Sequence, residues 1–236
     1  MNLLALDTAT EACSAALHVG GRTLVRFEAT ERGHTAKLAP MVQALMAEAG
    51  LGFAQLDGYV CGVGPGSFAG VRIGVSFVKG LALAHERPVV GVSSLAMLAQ
   101  PAIAAGAGRV LSAIDARMNE VYVAAYTADA DGLAQPLGAP RVCAPAEVAP
   151  ADAPLVAVGT GWRYEALRAA VGEAWLQSLD DAALPRAADA LTLALPAFRD
   201  GGTISAAQLL PVYLRNKVAL TLREQREARA AKAAAG

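Results

Sequence analysis

Between Gly62 and Gly70 four of nine residues are glycine, in the string Gly62-Val63-Gly64-Pro65-Gly66-Ser67-Phe68-Ala69-Gly70. An apolar run from Asp57 to Val63 enters this string as a buried strand, and a helical pattern from about Val71 to His85 leaves it. A strand-to-helix junction this bare points to a mixed α/β architecture. One reading is a strand-to-helix turn whose backbone needs positive φ. Bare N–H groups at a helix N-terminus also suit an anion, so both readings stand. The string is not a Walker motif, since no Gly-Lys-Ser/Thr follows, and its spacing fails the GxGxxG dinucleotide fingerprint.

The rest of the chain fits the same architecture. Leu3 to Leu6 is a short apolar run ending in the polar turn Asp7-Thr8-Ala9-Thr10. Cys13 to Val19 meets the hairpin signal Gly20-Gly21, and Arg22 to Ala29 returns, which predicts a three-stranded antiparallel meander. Leu38, Met41, Val42, Leu45, Met46 and Ala49 form one helical stripe, with Pro40 expected in the first turn and Gly50 ending the helix. Pro88 to Val92 reads as a strand, and Ser93-Ser94 caps a helix from about Leu95 to Ala104. Beyond the joint Gly106-Ala107-Gly108, Val110 to Asp115 and Glu120 to Tyr126 read as strands around an Ala116–Asn119 turn. Residues 128–154 read as loops. Leu155 to Val158 is a strand ending in Gly159-Thr160-Gly161, and Trp162 to Val171, Ala187 to Arg199 and Val218 to Ala235 read as helices. Ile114-Asp115 echoes Leu6-Asp7, each an apolar strand delivering an aspartate at its end. Two mixed α/β halves are therefore expected, 1–105 and 106–214, with a C-terminal helix over 215–236 returning to the first.

Composition narrows the function. Of the 236 residues 55% are hydrophobic and 17% charged, and the net charge is −1. Such a chain is not intrinsically disordered, nor a basic nucleic-acid-binding domain of the usual electrostatic type. No apolar run of about 18 residues is free of charges and breakers, so no membrane span is expected. The start of the chain lacks the basic segment of a signal peptide. Three scattered cysteines, Cys13, Cys61 and Cys143, suit a reducing cytoplasm. The three histidines never pair at helical spacing, and neither a Gly-x-Ser-x-Gly elbow nor a Cys with a helical His partner is present. The Asp7–Thr10 turn reads either as a phosphate and hydrated Mg²⁺ site or as an Asx-turn. Gly70, Gly74, Gly80 and Ala84 leave low faces on the second helix. Like the Met-bearing stripe of the first, these read as core packing or as a partner surface. Residues 215–236 hold six basic and two acidic side chains, +4 of a whole-chain −1, so the body carries −5.

The strings Leu4-Ala5-Leu6-Asp7-Thr8-Ala9-Thr10 and Gly64-Pro65-Gly66-Ser67-Phe68 resemble the bacterial TsaB (YeaZ) family. Val90-Gly91-Val92-Ser93-Ser94-Leu95, Ile114-Asp115-Ala116-Arg117-Met118, Gly159-Thr160-Gly161-Trp162 and Pro211-Val212-Tyr213-Leu214-Arg215 extend the resemblance in family order. It implies two ribonuclease-H-like domains of the actin, sugar-kinase and heat-shock ATPase superfamily. It further implies a non-catalytic, cytoplasmic subunit of the tRNA threonylcarbamoyladenosine machinery. That subunit would bind a catalytic TsaD-type paralogue and, with it, a TsaE-type ATPase, and would reach tRNA only indirectly. The paralogue's two metal-binding histidines fall on Ser94 and Leu98, so no metal or cofactor is expected. Ala69 replaces the threonine more common in the family. Asp7, Thr8, Gly64, Gly66, Ser67 and Asp115 are then expected as a vestigial nucleotide site. The expected partner face is Leu38, Met41, Val42, Leu45 and Met46 with Val71, Val75 and Val78, and it would serve a homodimer where the partner is absent. The alternative is an ATP-dependent phosphotransferase or a metallopeptidase of the same superfamily acting alone.

Overall fold

The computed structural model describes residues 1–30 and 33–215. β1 (Leu3–Asp7), β2 (Ala12–Val19) and β3 (Arg22–Ala29) form an antiparallel meander. After α1 (His34–Ala49), β4 (Gly58–Gly62) pairs parallel with β1. After α2 (Phe68–Ala84), β5 (Val89–Val92) pairs parallel with β4. The strand order is β3-β2-β1-β4-β5. α3 (Ser94–Ala104) leads to a second sheet made of β6 (Val110–Asp115), β7 (Val121–Ala128), β8 (Ala134–Pro136), β9 (Arg141–Cys143), β10 (Leu155–Val158) and β11 (Leu176–Asp180). Its order is β11-β10-β6-β7-β8, with β9 also on β7. α4 (Glu165–Val171) lies between β10 and β11 in the chain, and α5 (Ala187–Asp200) follows. The second sheet repeats the first: β1 and β6 are each central, each has an antiparallel neighbour on one side and a parallel one on the other, and each ends in an aspartate.

The period-2 alternation of the strands sorts side chains between two cores per sheet. Leu4, Leu6, Ala15, Leu17 and Cys61 face α1 and α2, whereas Leu3, Ala5, Ala16 and Val60 face α5. In the second sheet Ile114, Tyr122 and Ala124 face α3, whereas Ala113, Val121 and Val123 pack with Trp162, Leu167 and Val171. α5 meets its sheet through fully buried Ala187, Ala190 and Ala194, so its backbone lies close. No helix among the described residues is long and apolar enough to cross a membrane.

The structure corrects several expectations. The boundary between 1–105 and 106–214 does not follow the packing. α5 completes the first half, while α3 packs mainly on the second sheet. The expected helix over 215–236 lies, beyond Arg215, outside the described residues. α1 begins at His34, four residues before its apolar stripe, so Pro40 sits inside it rather than in its first turn. Pro40 is exposed, where water can serve the carbonyl left without a donor. Residues 128–154 include the short strands β8 and β9, and β11 was not foreseen at all. The expected helix from Trp162 splits into a 3₁₀ turn, Thr160–Arg163, and α4.

The largest correction concerns the partner face. Leu38, Val42, Leu45, Met46, Val71, Val75 and Val78 are all at most 4% exposed, in the core between α1, α2 and the first sheet. Met41 is half-buried at its margin. The helical stripe is the side each helix turns to its own sheet, so it cannot meet a partner.

Candidate functional site

The two halves face each other across a cleft of about 790 Å³. One wall is the β1–β2 turn at Ala9–Glu11, the start of α1 at His34, and the glycine loop with the N-terminus of α2. The other is the end of β6 and the turn after it, Ile114–Met118, and residues 212–215 complete the lining.

The glycine loop is packed against the β1–β2 turn. Ser67 N donates to Ala9 O at 2.6 Å, and Thr8 Oγ1 donates to Gly70 O at 2.7 Å. A Cβ on Gly66 would lie 2.1 Å from Ala9 O, and one on Gly70 would lie 2.1 Å from Thr8 O. Two of the glycines are therefore required by close approach of this chain's own backbone. Ser67 caps α2, its Oγ accepting from Gly70 N at 3.3 Å. Arg72, one turn into α2, places its guanidinium 3.3 Å from the ring centroid of exposed Phe68 and 5.4 Å from that of Tyr213.

Asp7 lies beneath the cleft and is fully buried. Its Oδ1 accepts from Ala9 N at 3.2 Å, the bond of an Asx-turn. Its Oδ2 has no hydrogen-bond partner and lies where a Cβ on Gly62 would be, 1.8 Å away. Burial pushes the pKa of Asp7 from 3.8 up to about 7, against the opposing pull of the Ala9 amide and of the nearby Ser94 hydroxyl. Ser94 Oγ is itself buried without a well-formed hydrogen bond.

Asp115, at the end of β6, reaches the cleft and is engaged on every side. Its carboxylate accepts from Arg117 N at 2.8 Å, from Tyr164 Oη at 3.0 Å and from Arg117 Nη1 at 3.2 Å. Arg117 Nη2 also reaches Glu11 at 2.9 Å, joining the two walls. Arg117, Met118 and Asn119 all have positive φ, 60°, 57° and 58°. Left-handed backbone costs roughly 1–2 kcal/mol per L-residue, less for Asn. The exposed Arg117 pairs, at about 0–1 kcal/mol each, do not cover this. Arg215, with a side chain only 17% exposed, does more: it pairs with Glu120 and donates to Ala116 O at 3.0 Å. A hydrogen bond to a charged group contributes roughly 1.5–3 kcal/mol.

Of the residues expected at a nucleotide site, Gly66, Ser67 and Asp115 line the cleft together. Asp7, Thr8 and Gly64 are buried behind it. Sequence reasoning missed Glu11, Phe68, Tyr213 and Arg215 as cleft residues, and Arg72 and Tyr164 as the side chains that hold Phe68 and Asp115 from behind them. Arg117 was quoted only inside a motif, because nothing in Ala-Arg-Met-Asn announces three left-handed residues. Ser94 and Leu98, the positions the resemblance sets against a metal site, do not fit a divalent cation: Ser94 Oγ is buried beside Asp7, and Leu98 belongs to the core of the second half. Among the described residues no group of three or more His, Cys, Asp or Glu side chains could hold a metal ion.

A two-lobed α/β protein of repeated ribonuclease-H-like topology, with its cleft between the lobes, falls in the actin-like ATPase superfamily. Residues 25–215 match the family described as "TsaD: tRNA N6-adenosine threonylcarbamoyltransferase". The chain is 43% identical over 225 residues to the "tRNA threonylcarbamoyladenosine biosynthesis protein TsaB" of Escherichia coli, covering 93% of this chain and 96% of that protein. It is 39% identical over 230 residues to the protein of the same name from Haemophilus influenzae, covering 92% and 95%. The solved structure of YeaZ from Pseudomonas aeruginosa superposes with a TM-score of 0.83 at 45% identity, covering 90% of this chain and 99% of that one. The chain belongs to the TsaB (YeaZ) family.

Proposed function

We propose that this protein acts in tRNA threonylcarbamoyladenosine biosynthesis as a non-catalytic scaffold. In this reading it binds a TsaD-type catalytic subunit in the cytoplasm and, with it, a TsaE-type ATPase, and it meets tRNA only through them. One observation carries the non-catalytic reading: the groups that could do chemistry in the cleft are engaged with this chain. Gly66 and Gly70 are pressed on the β1–β2 turn, Asp115 holds Arg117 and Tyr164, and Leu98 is buried in the core of the second half.

The partner face moves from the buried stripe to the outward sides of the same helices. Ala44 and Ala47 of α1 are exposed there, as are Ser76, Gly80 and Leu83 of α2, beside half-buried Met41, Ile73 and Phe77. Small side chains on an exposed helix face let another helix approach closely, and exposed Leu83 supplies apolar area. A second copy would use this face where the catalytic subunit is absent.

The test is reconstitution. Expected are no ATP hydrolysis and no tRNA modification by the isolated chain, and modification once a TsaD-type and a TsaE-type protein are added. Robust ATP turnover by the isolated chain, lost in Asp115→Asn, would sink the scaffold reading in favour of an enzyme acting alone.

A further inference from the structure

The Pro211-Val212-Tyr213-Leu214-Arg215 string stands out in the sequence, yet the scaffold reading gives it no role. In the fold it spans the two halves. Leu209, just before it, is buried in the core of the first half, and Val212 N donates to Val63 O of that half at 2.8 Å. Tyr213 lies 5.7 Å from Phe68, ring to ring, at the start of α2. Leu214 packs on the core of the second half, and Arg215 pairs there with Glu120 and holds the carbonyls of Ala116 and Arg117. In seven residues the chain thus passes from one core to the other, and Val212 to Arg215 line the cleft as they do so.

Among the described residues two other crossings join the halves, from β5 into α3 and from β11 into α5. Each is fastened by a hydrogen bond, Ser94 N to Gly64 O and Ala187 N to Ser14 Oγ, both at 2.9 Å. None of these four residues lines the cleft. The geometry points to residues 209–215 as a strap across the cleft, with Arg215 as its fastening on the second half. The strap sets the separation of the two walls, and it holds the turn Arg117–Asn119 in its strained form. That turn carries Arg117 to Glu11, so releasing Arg215 loosens both links on the cleft side together. The width of the cleft is held by this chain's own residues 209–215.

Arg215→Ala tests this in the full-length chain, read by amide hydrogen exchange and small-angle scattering. Expected is a rise of roughly tenfold or more in exchange at Ala116 and Glu120, whose amides bond within the turn. The same rise is expected at Val212, which is held by the other half, together with a larger radius of gyration. Val60, in the centre of the first sheet, keeps its protection. Faster exchange confined to the turn, with Val212 and the radius unchanged, would reduce Arg215 to a local clamp and overturn the strap. So would no change at any of these amides. If Arg215→Ala no longer folds cooperatively, Arg215→Lys decides by the same readouts. Lysine keeps the charge but cannot hold a carboxylate and two carbonyls in one planar fork.

Discussion

Asp7 is the residue whose burial the sequence hides most completely. Its position after Leu3–Leu6 places it at a strand exit, which is legible from the apolar run. That the carboxyl then turns inward beneath Gly62 and leaves Oδ2 without a partner is a tertiary fact. With a native pKa of about 7 against 3.8, the folded state binds a proton that the unfolded chain has released between those values. Stability therefore falls as pH rises from about 4 to 7, because ionising Asp7 puts a charge in the core. Each pH unit between the two pKa values costs roughly 1.4 kcal/mol, so the whole effect is at most about 4 kcal/mol. Asp189, raised from 3.8 to about 6 mainly by burial, contributes in the same direction. Asp7→Asn keeps the shape, lets Oδ1 accept from Ala9, and turns an amide donor towards Ser94. The expected outcome is a variant at least as stable as the parent at pH 8, with a flatter stability profile between pH 4 and 7. Denaturant titrations across that range check it, and an Asn variant less stable at every pH would contradict the burial argument.

At the scale of elements, strands and helices with a clear period were readable, because one face of each is buried and the alternation reports it. β1 to β5 and α1 to α3 fall close to where the pattern puts them. Residues 128–154 and β11 were not readable, since their strands are short, largely exposed and lack a two-residue period. The glycine loop was legible as a junction, but its two readings separate only in three dimensions. Gly66 and Gly70 are glycine because Ala9 O and Thr8 O stand where a Cβ would go. Gly80, in the same helix as Gly70, meets nothing within 4 Å. Gly70→Ala is therefore expected to cost roughly 1–3 kcal/mol or more, since backbone has to shift. Gly80→Ala is expected to add about 0.5–1 kcal/mol, since a helix-interior glycine is replaced at no steric cost. Thermal unfolding of the two variants should move in opposite directions. Equal shifts would mean that the loop has slack, and would return the anion reading of its glycines to consideration.

For the whole molecule, an alanine-rich chain of low charge is legible as packed, but which packing is internal is not. The helical stripe of α1 and α2 looks the same from the sequence whether it faces a sheet or a partner. The sheet claims it here, because five strands present Leu4, Leu6, Leu17 and their neighbours on that side. Substitutions on the two sides of these helices must then behave differently. Leu45 is fully buried, so Leu45→Glu forces a carboxylate into the core and is expected to cost about 4 kcal/mol or more, enough to unfold a marginal domain. Leu83 is 65% exposed, so Leu83→Glu should leave the melting temperature of the isolated chain nearly unchanged. Ser76→Glu should do the same. In the complex both charges would be desolvated without a partner, so affinity for the catalytic subunit, or for a second copy, should fall tenfold or more. Circular dichroism paired with size-exclusion chromatography separates the cases. A folded Leu45→Glu chain that has lost only its partner would restore the buried stripe as the interface. Intact complexes with Ser76→Glu and Leu83→Glu would remove the outward face from consideration and leave the lobe surfaces around the cleft as the place where this scaffold is read.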